Sequence, residues 1–168
     1  MKIAIAASAF VLAPLLAWAA DTSPDESFYK KAAEGGISEV EQGQIAQDKG
    51  HSQAVKDFGA MMVKDHSAAN QKLKAIATSK GIDLPTSSSA MQMTTKGKLE
   101  VLSGDSFDKS YIKGMVKDHK EDIQEFEKEA QQGQDPQAKA FAQKTLPTLR
   151  EHLSKIEAIA SNSGVKTD

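Results

Sequence analysis

The chain contains no cysteine among its 168 residues. It therefore holds no disulfide, and it cannot carry the lipid that is attached to the cysteine of a lipoprotein. A cysteine nucleophile is excluded for the same reason. No serine stands in a nucleophile-elbow motif, and no glycine-rich loop could cradle a phosphate. These absences predict a protein that is not an enzyme.

Signals for β-strands are nearly absent. Aromatic residues make up 5% of the chain and β-branched residues form few runs, whereas Ala, Gln, Glu and Lys are abundant. This composition predicts an all-α protein. Basic residues form no block, which argues against nucleic acid as a partner.

Only one long apolar run is present, at the start of the chain. Lys2 precedes "IAIAASAFVLAPLL", and "AWA" at 17–19 offers small residues where a signal peptidase reads. The pattern is typical of a secretory signal peptide over 1–19, cleaved after Ala19. Pro14 argues against a membrane anchor. We expect a soluble protein of the periplasm or the medium, with no transmembrane span in the mature chain.

Four later segments show helical periodicity. They run from about Asp25 to Lys49, from Ser52 to Lys80, from Asp105 or Ser106 to Gln132, and from Pro136 to Ala160. A short helix at 89–102 lies in the connection between the second and the third. This order predicts a four-helix bundle over 25–161, whose long connection permits a ferritin-like crossover. A short lead, 20–24, precedes it and a frayed tail, 162–168, follows it. Pro147 is expected to kink or locally break the last helix.

The first helix is expected to turn five residues inward: Ala33, Gly36, Val40, Gly43 and Gln47. Glycine in a helix costs roughly 1 kcal/mol against alanine. We interpret Gly36 and Gly43 as a site of close approach by a neighbouring helix. The alternative is that "EGG" at 34–36 breaks the helix.

The pentapeptide "MVKDH" occurs twice, at 62–66 and at 115–119. At about 100° of rotation per residue, His119 lies at the centre of the apolar face of its helix. His66 and His152 lie roughly 40° and 50° from the centres of theirs. All three are near mid-helix, so we expect them at one depth in the bundle, whereas His51 lies exposed in a turn.

The acidic residues near these histidines differ in their expected positions. Asp65 borders the core and could accept a hydrogen bond from an imidazole on a neighbouring helix. Asp118 and Glu151 lie roughly a quarter-turn or more outside it. Glu39 and Glu41 lie roughly 100° from the expected inner face of the first helix, and no histidine follows a glutamate by three residues. A carboxylate-bridged di-iron centre is therefore not expected.

Four stretches resemble bacterial exported proteins of the family called domain of unknown function 4142. They are "FYKKAAEGGISEVEQGQIA", "VKDFGAMMVKDHSAANQKLKAIATSKGIDLP", "GDSFDKSYIKGMVKDHKEDIQEFEKEA" and "FAQKTLPTLREHLSKIEAIA". The resemblance covers nearly all of the chain after the signal peptide, and it implies a ferritin-like bundle. It implies no established activity. Members are often labelled outer membrane proteins, but no second apolar span follows the signal peptide here.

Two hypotheses for the function follow. In the first, the protein is a non-enzymatic bundle with a structural, binding or envelope-stress role, and it holds no cofactor. Its histidines are then hydrogen-bonded core residues. In the second, one ion of zinc, copper or iron is bound by inward side chains of three helices: His66, His119 and His152, with Asp65.

Two methionines bear on the choice of metal. Met62 and Met115 lie one turn before His66 and His119 on the same helix faces. As thioether ligands they would favour copper, although methionine commonly fills gaps in bundle cores. The partner and the oligomeric state are not specified by the sequence.

Overall fold

The computed structural model describes residues 23–167, which form five helices and no strand. The helices are α1 (Pro24–Lys49), α2 (Gln53–Ser79), α3 (Ala90–Val101), α4 (Gly104–Gln132) and α5 (Pro136–Asn162). None of these five helices is long and apolar enough to cross a membrane. The expected signal peptide, 1–19, lies outside the described residues.

The helix starts follow from capping chemistry. Four side chains each accept a hydrogen bond from a backbone N–H two or three residues further on: Ser23, Ser52, Ser89 and Asp135. They cap α1, α2, α3 and α5, and such caps typically contribute about 1 kcal/mol each. Helix α4 differs from the expectation, because it starts at Gly104 with Ser103 as its N-cap.

Helix α5 differs from the expectation at two points. It runs unbroken through Pro147, where the buried side chains of Leu146 and Leu149 hold it against the core. Beyond its end, Gly164 adopts a φ of 64°, and the N–H of Val165 donates to the carbonyl of Ala160 at 2.9 Å. Val165 packs against the core, so the chain folds back onto the bundle beyond Asn162, within the segment expected as a frayed tail.

Each of the four long helices runs antiparallel to its two neighbours. Helix α1 packs against α2 and α4, and α5 packs against α4 and α2. The direction follows from contacts that join the end of one helix to the start of another, such as Lys31 with Glu125 and Lys80 with Asp135. Helices α2 and α4 therefore run in the same direction, which requires a crossover along the bundle, and α3 lies within it against α1. The predicted ferritin-like four-helix bundle with a short extra helix is confirmed.

Close packing of α1 against α2 depends on two glycines. A Cβ atom on Gly43 would lie 2.8 Å from the carbonyl oxygen of Gly59, and one on Gly59 would lie 2.7 Å from that of Gly43. The two backbones are therefore too close for any other residue at either position. The expected close approach at Gly43 is confirmed, and α1 is continuous through the "EGG" stretch.

The inner face of α1 is rotated from the expected one. Ala33, Gly36 and Gly43 are buried as predicted, but Val40 is only half-buried and Gln47 is exposed. Their places are taken by residues one position earlier, Glu39 and Ala46, together with Gln42. The expectation that Glu39 lies outside the core was therefore wrong.

A polar layer divides the core at mid-bundle. One apolar cluster contains Phe58, Met62, Met115 and Ile156, and a second contains Leu73, Phe126 and Leu149. Between them in sequence, each long helix carries a buried ionisable residue: Glu39, His66, His119 or His152. Helix α1 adds Ser38 and Gln42 to this layer. The expected common depth of the three histidines is confirmed.

Candidate metal centre

Three histidines converge at the centre of the bundle. His66, His119 and His152 are 6%, 0% and 1% exposed. One ring nitrogen from each can be chosen so that all three nitrogens lie within 4.8 Å of one another. Their ring centroids are 5.3–5.8 Å apart, and the ring of Phe58 lies 6.3–6.4 Å from the rings of His119 and His152. No apolar side chain separates the imidazoles.

Each imidazole has an outer polar partner. Nδ1 of His119 donates to the carbonyl oxygen of Met115 at 2.9 Å, and Nε2 of His152 lies 3.0 Å from a carboxylate oxygen of Asp65. Nδ1 of His66 lies 2.7 Å from a carboxylate oxygen of Glu39. Carbonyl and carboxylate partners of this kind orient the histidine ligands of metal sites. The predicted contact of Asp65 with a histidine of another helix is confirmed.

The ring nitrogens that face the centre of the cluster carry no proton, because the contacts with outer partners hold the proton on the other nitrogen of each ring. A carbonyl can only accept, so the proton of neutral His119 is on Nδ1 and its Nε2 carries a lone pair. The carboxylate of Asp65 holds the proton of His152 on Nε2, which leaves Nδ1 bare. These two bare nitrogens face each other at 3.4 Å. Nε2 of His66 is also buried and has no hydrogen-bond partner. A cation bound between the three rings would accept the lone pairs of these three nitrogens.

Burial keeps the histidines neutral. It lowers the pKa of His66 from 6.5 to about 4. Burial also lowers the pKa of His119 and of His152, against the opposing attraction of Glu39 and Asp65 respectively. Neutral imidazoles are the form that binds metal ions.

Glu39 is the buried carboxyl that the sequence analysis missed. It is 2% exposed, and its second oxygen, Oε1, has no hydrogen-bond partner. Burial raises its pKa from 4.5 to about 7, opposed by the attraction of His119. A signal for it was present, because Glu39 follows Gly36 by three residues and Ala46 follows Gly43 by three. A spacing of three residues after Gly36 and Gly43, instead of four, places Glu39 and Ala46 on the inner face of α1.

The other predicted residues lie outside the ring of histidines. Met62 and Met115 are fully buried, in the apolar cluster next to the polar layer. Asp118 is half-buried rather than outside the core, and burial raises its pKa. Glu151 and His51 are exposed, as expected.

The dimensions suit a single transition-metal ion. Metal–imidazole bonds of about 2.0–2.1 Å at tetrahedral angles place ligand nitrogens roughly 3.4 Å apart. The separation between His119 and His152 already has this value, 3.4 Å. The widest separation in the group, up to 4.8 Å, would close by roughly 1.4 Å on binding.

The fold and this site define an all-helical, ferritin-like bundle with a buried cluster of three histidines. The chain belongs to the family described as Domain of unknown function (DUF4142), whose model matches residues 13–159. The resemblance noted from the sequence is thereby confirmed. No curated protein matches the chain.

Solved structures of low sequence identity share the fold. A DUF305 protein of Streptomyces coelicolor that carries the label of a secreted protein matches with a TM-score of 0.73 and 16% identity, over 88% of this chain and 98% of that one. A DUF305 fragment from Deinococcus radiodurans matches with a TM-score of 0.74 and 10% identity, over 84% and 97%. CopM in its Cu(I)-bound form matches with a TM-score of 0.69 and 12% identity, over 82% and 96%.

Proposed function

We propose that this protein is an exported, non-enzymatic protein that binds one transition-metal ion through His66, His119 and His152. The observation that carries the proposal is the 3.4 Å contact between Nε2 of His119 and Nδ1 of His152. Because the other nitrogen of each ring donates to Met115 or Asp65, we infer that both of these nitrogens carry lone pairs. Two lone pairs at this distance repel each other, and neither ring can turn away without losing its outer hydrogen bond. A cation between them converts this repulsion into two bonds.

The ligand set narrows the metal to a few ions. Three neutral imidazoles suit zinc, copper or iron, and a carboxylate near them favours none of these exclusively. The Cu(I)-bound form of CopM has a similar fold, which supports copper as the first ion to test. Export is supported by the signal-like start of the sequence and by the secreted label of the Streptomyces coelicolor structure.

The first experiment measures metal content and affinity. The protein is purified from cells, and its bound metal is determined by mass spectrometry. Zn²⁺ and Cu⁺ are then titrated into the wild type, His119→Ala and His51→Ala. We expect His119→Ala to lower the affinity by on the order of 100-fold or more, because it removes a ligand rather than an outer partner. His51→Ala serves as the matched control, since His51 is exposed and outside the cluster.

The outcomes separate this function from a purely structural role. Absence of bound metal together with equal affinities of wild type and His119→Ala would reject the metal site. The histidines would then serve as hydrogen-bonded core residues, and the bundle would act through its surface in a structural, binding or envelope-stress role.

A further inference from the structure

The buried histidines need an access route, and one wall of the bundle offers an acidic one. A cavity of about 60 Å³ lies between α1, α4 and the start of α3. Four acidic residues line it: Glu39, Asp118, Glu121 and Asp122. Glu121 is exposed and Asp118 is half-buried, whereas Glu39 is buried, so the lining runs from the surface to the polar layer.

A smaller space adjoins the acidic cavity on the side of the histidines. It has a volume of about 20 Å³, and Glu39, Asp122 and His66 are among the residues that line it. A volume of this size accommodates about one water-sized particle. Glu39 and Asp122 line both spaces, so these two side chains lie between the outer cavity and the space beside His66.

Glu39 makes its one short polar contact through Oε2, which lies 2.7 Å from Nδ1 of His66. Its Oε1 lies 3.5 Å from Nδ1 of His119, which donates to the carbonyl of Met115 instead, so Oε1 is buried without a hydrogen-bond partner. A buried, unpartnered carboxylate oxygen beside two further carboxyls is costly unless a cation or water reaches it. The neighbouring Lys117 does not neutralise Glu39, because its ammonium pairs with the exposed Glu121 at 3.1 Å.

We propose that divalent cations reach the three histidines through this acidic cavity, with Asp118 and Asp122 as their first protein ligands and Glu39 as the last carboxylate before His66. The inference rests on the proposed metal site and adds its route of loading. Carboxylates at a narrow mouth concentrate cations and raise the association rate, by 10- to 1,000-fold in favourable cases. They do not hold the bound ion, so they act on rates more than on affinity.

The test is a stopped-flow measurement of Co²⁺ uptake by the purified protein, followed by its visible absorption. Asp118→Asn combined with Asp122→Asn removes two carboxyls from the cavity and keeps the side-chain shape. Burial raises the pKa of both aspartates, so uptake is measured at alkaline pH, where the wild-type carboxyls are charged. Asp48→Asn combined with Asp57→Asn removes two exposed charges outside the cavity and is the matched control. We expect the cavity variant to load about 10-fold more slowly at low ionic strength, and the control at the wild-type rate.

Affinity and salt dependence distinguish a route from a general structural effect. Because association and dissociation use the same path, the cavity variant should also release Co²⁺ more slowly and keep a Kd within about 3-fold of wild type. Its association rate should depend less on ionic strength than the wild-type rate. An unchanged melting temperature verifies the fold, which these substitutions should preserve because they relieve repulsion between buried carboxyls.

Three results would overturn the proposal. If the cavity variant and the control load at the same rate, cations use another route, although the metal site itself stands. If only Asp65→Asn slows loading, the route lies on the opposite wall, where the half-buried Asp65 contacts His152. If the wild type takes up no Co²⁺, the proposed route for divalent cations fails, and the metal site fails with it only if the Zn²⁺ and Cu⁺ titrations also show no binding.

Discussion

At the scale of single residues, the two aspartates of the repeated "MVKDH" have different surroundings. Asp65 reaches across to His152 of α5 at 3.0 Å. Asp118 lines the acidic cavity on the other side of the bundle. The methionine of the second copy contributes its backbone, since the carbonyl of Met115 fixes the ring of His119. The repeat thus supplies two inward histidines, and its other side chains have separate roles.

Asp65 is expected to tune the site without being a ligand. Asp65→Ala removes the acceptor that holds the proton of His152 on Nε2, so the ring is free to adopt the wrong tautomer. We expect the affinity for Zn²⁺ to fall by about 10- to 100-fold, as measured by competition with a chromophoric chelator. Glu151→Ala is the control, because Glu151 directly precedes His152 yet is exposed. Equal losses of Zn²⁺ affinity in the two variants would show that affinity depends on the overall charge and not on the contact of Asp65 with His152.

At the scale of elements, α1 is the helix whose orientation the bundle determines most. After Phe28 and Tyr29 near its start, its inward residues are small or polar, so no apolar stripe along its length fixes its rotation. The contact between Gly43 and Gly59 brings its backbone against α2 and sets that rotation. Glu39 is thereby directed toward His66 and His119. A packing contact between two glycines that are not metal ligands therefore supports the candidate site.

Substitution of the packing glycine should be costly. The new Cβ atom of Gly43→Ala would lie 2.8 Å from a backbone carbonyl of α2, which cannot move alone. We expect a loss of about 1–3 kcal/mol in the free energy of unfolding, measured by urea denaturation. Gly114→Ala is the matched control within α4, where a Cβ atom meets nothing within 4 Å. It should stabilise the protein by about 0.5–1 kcal/mol. Equal effects of the two substitutions would contradict close packing of α1 on α2.

At the scale of the whole molecule, the polar layer makes stability depend on pH in two opposing ways. Burial lowers the pKa of His66 from 6.5 to about 4, so its contribution is present above pH 6.5 and is lost as the pH falls toward 4. Burial raises the pKa of Glu39 from 4.5 to about 7. Its contribution is present below pH 4.5 and is lost as the pH rises through 7.

Two variants separate these contributions in the metal-free protein. Relative to His66→Gln, the wild type should lose stability as the pH falls from 6.5 to 4. Relative to Glu39→Gln, it should lose stability as the pH rises from 4.5 to 7. Chemical denaturation at several pH values measures both differences. Slopes of the reverse sign would mean that His66 and Glu39 form a charged pair in the folded protein.

Much of the architecture could be predicted, because helical periodicity and caps are local properties of the chain. The five helices, the inward positions of His66, His119 and His152, and the contact of Asp65 with a histidine were all expected from residue spacing. The role of Glu39 could not be obtained in this way. Periodicity treats a glutamate as a surface residue, whereas burial of this one depends on partners that other helices supply.

The sequence by itself determined that the protein is a four-helix bundle with three histidines at one depth, since apolar residues that repeat with a period of 3.6 leave each histidine-bearing helix one way to face the core. Only the tertiary structure decided what surrounds those histidines. The rotation of α1, the pairing of Glu39 with His66 and the acidic cavity beside them depend on which helices are neighbours and how closely they pack. Burial of a charged group is stabilised by contacts distant in sequence, and those exist only once the bundle has formed.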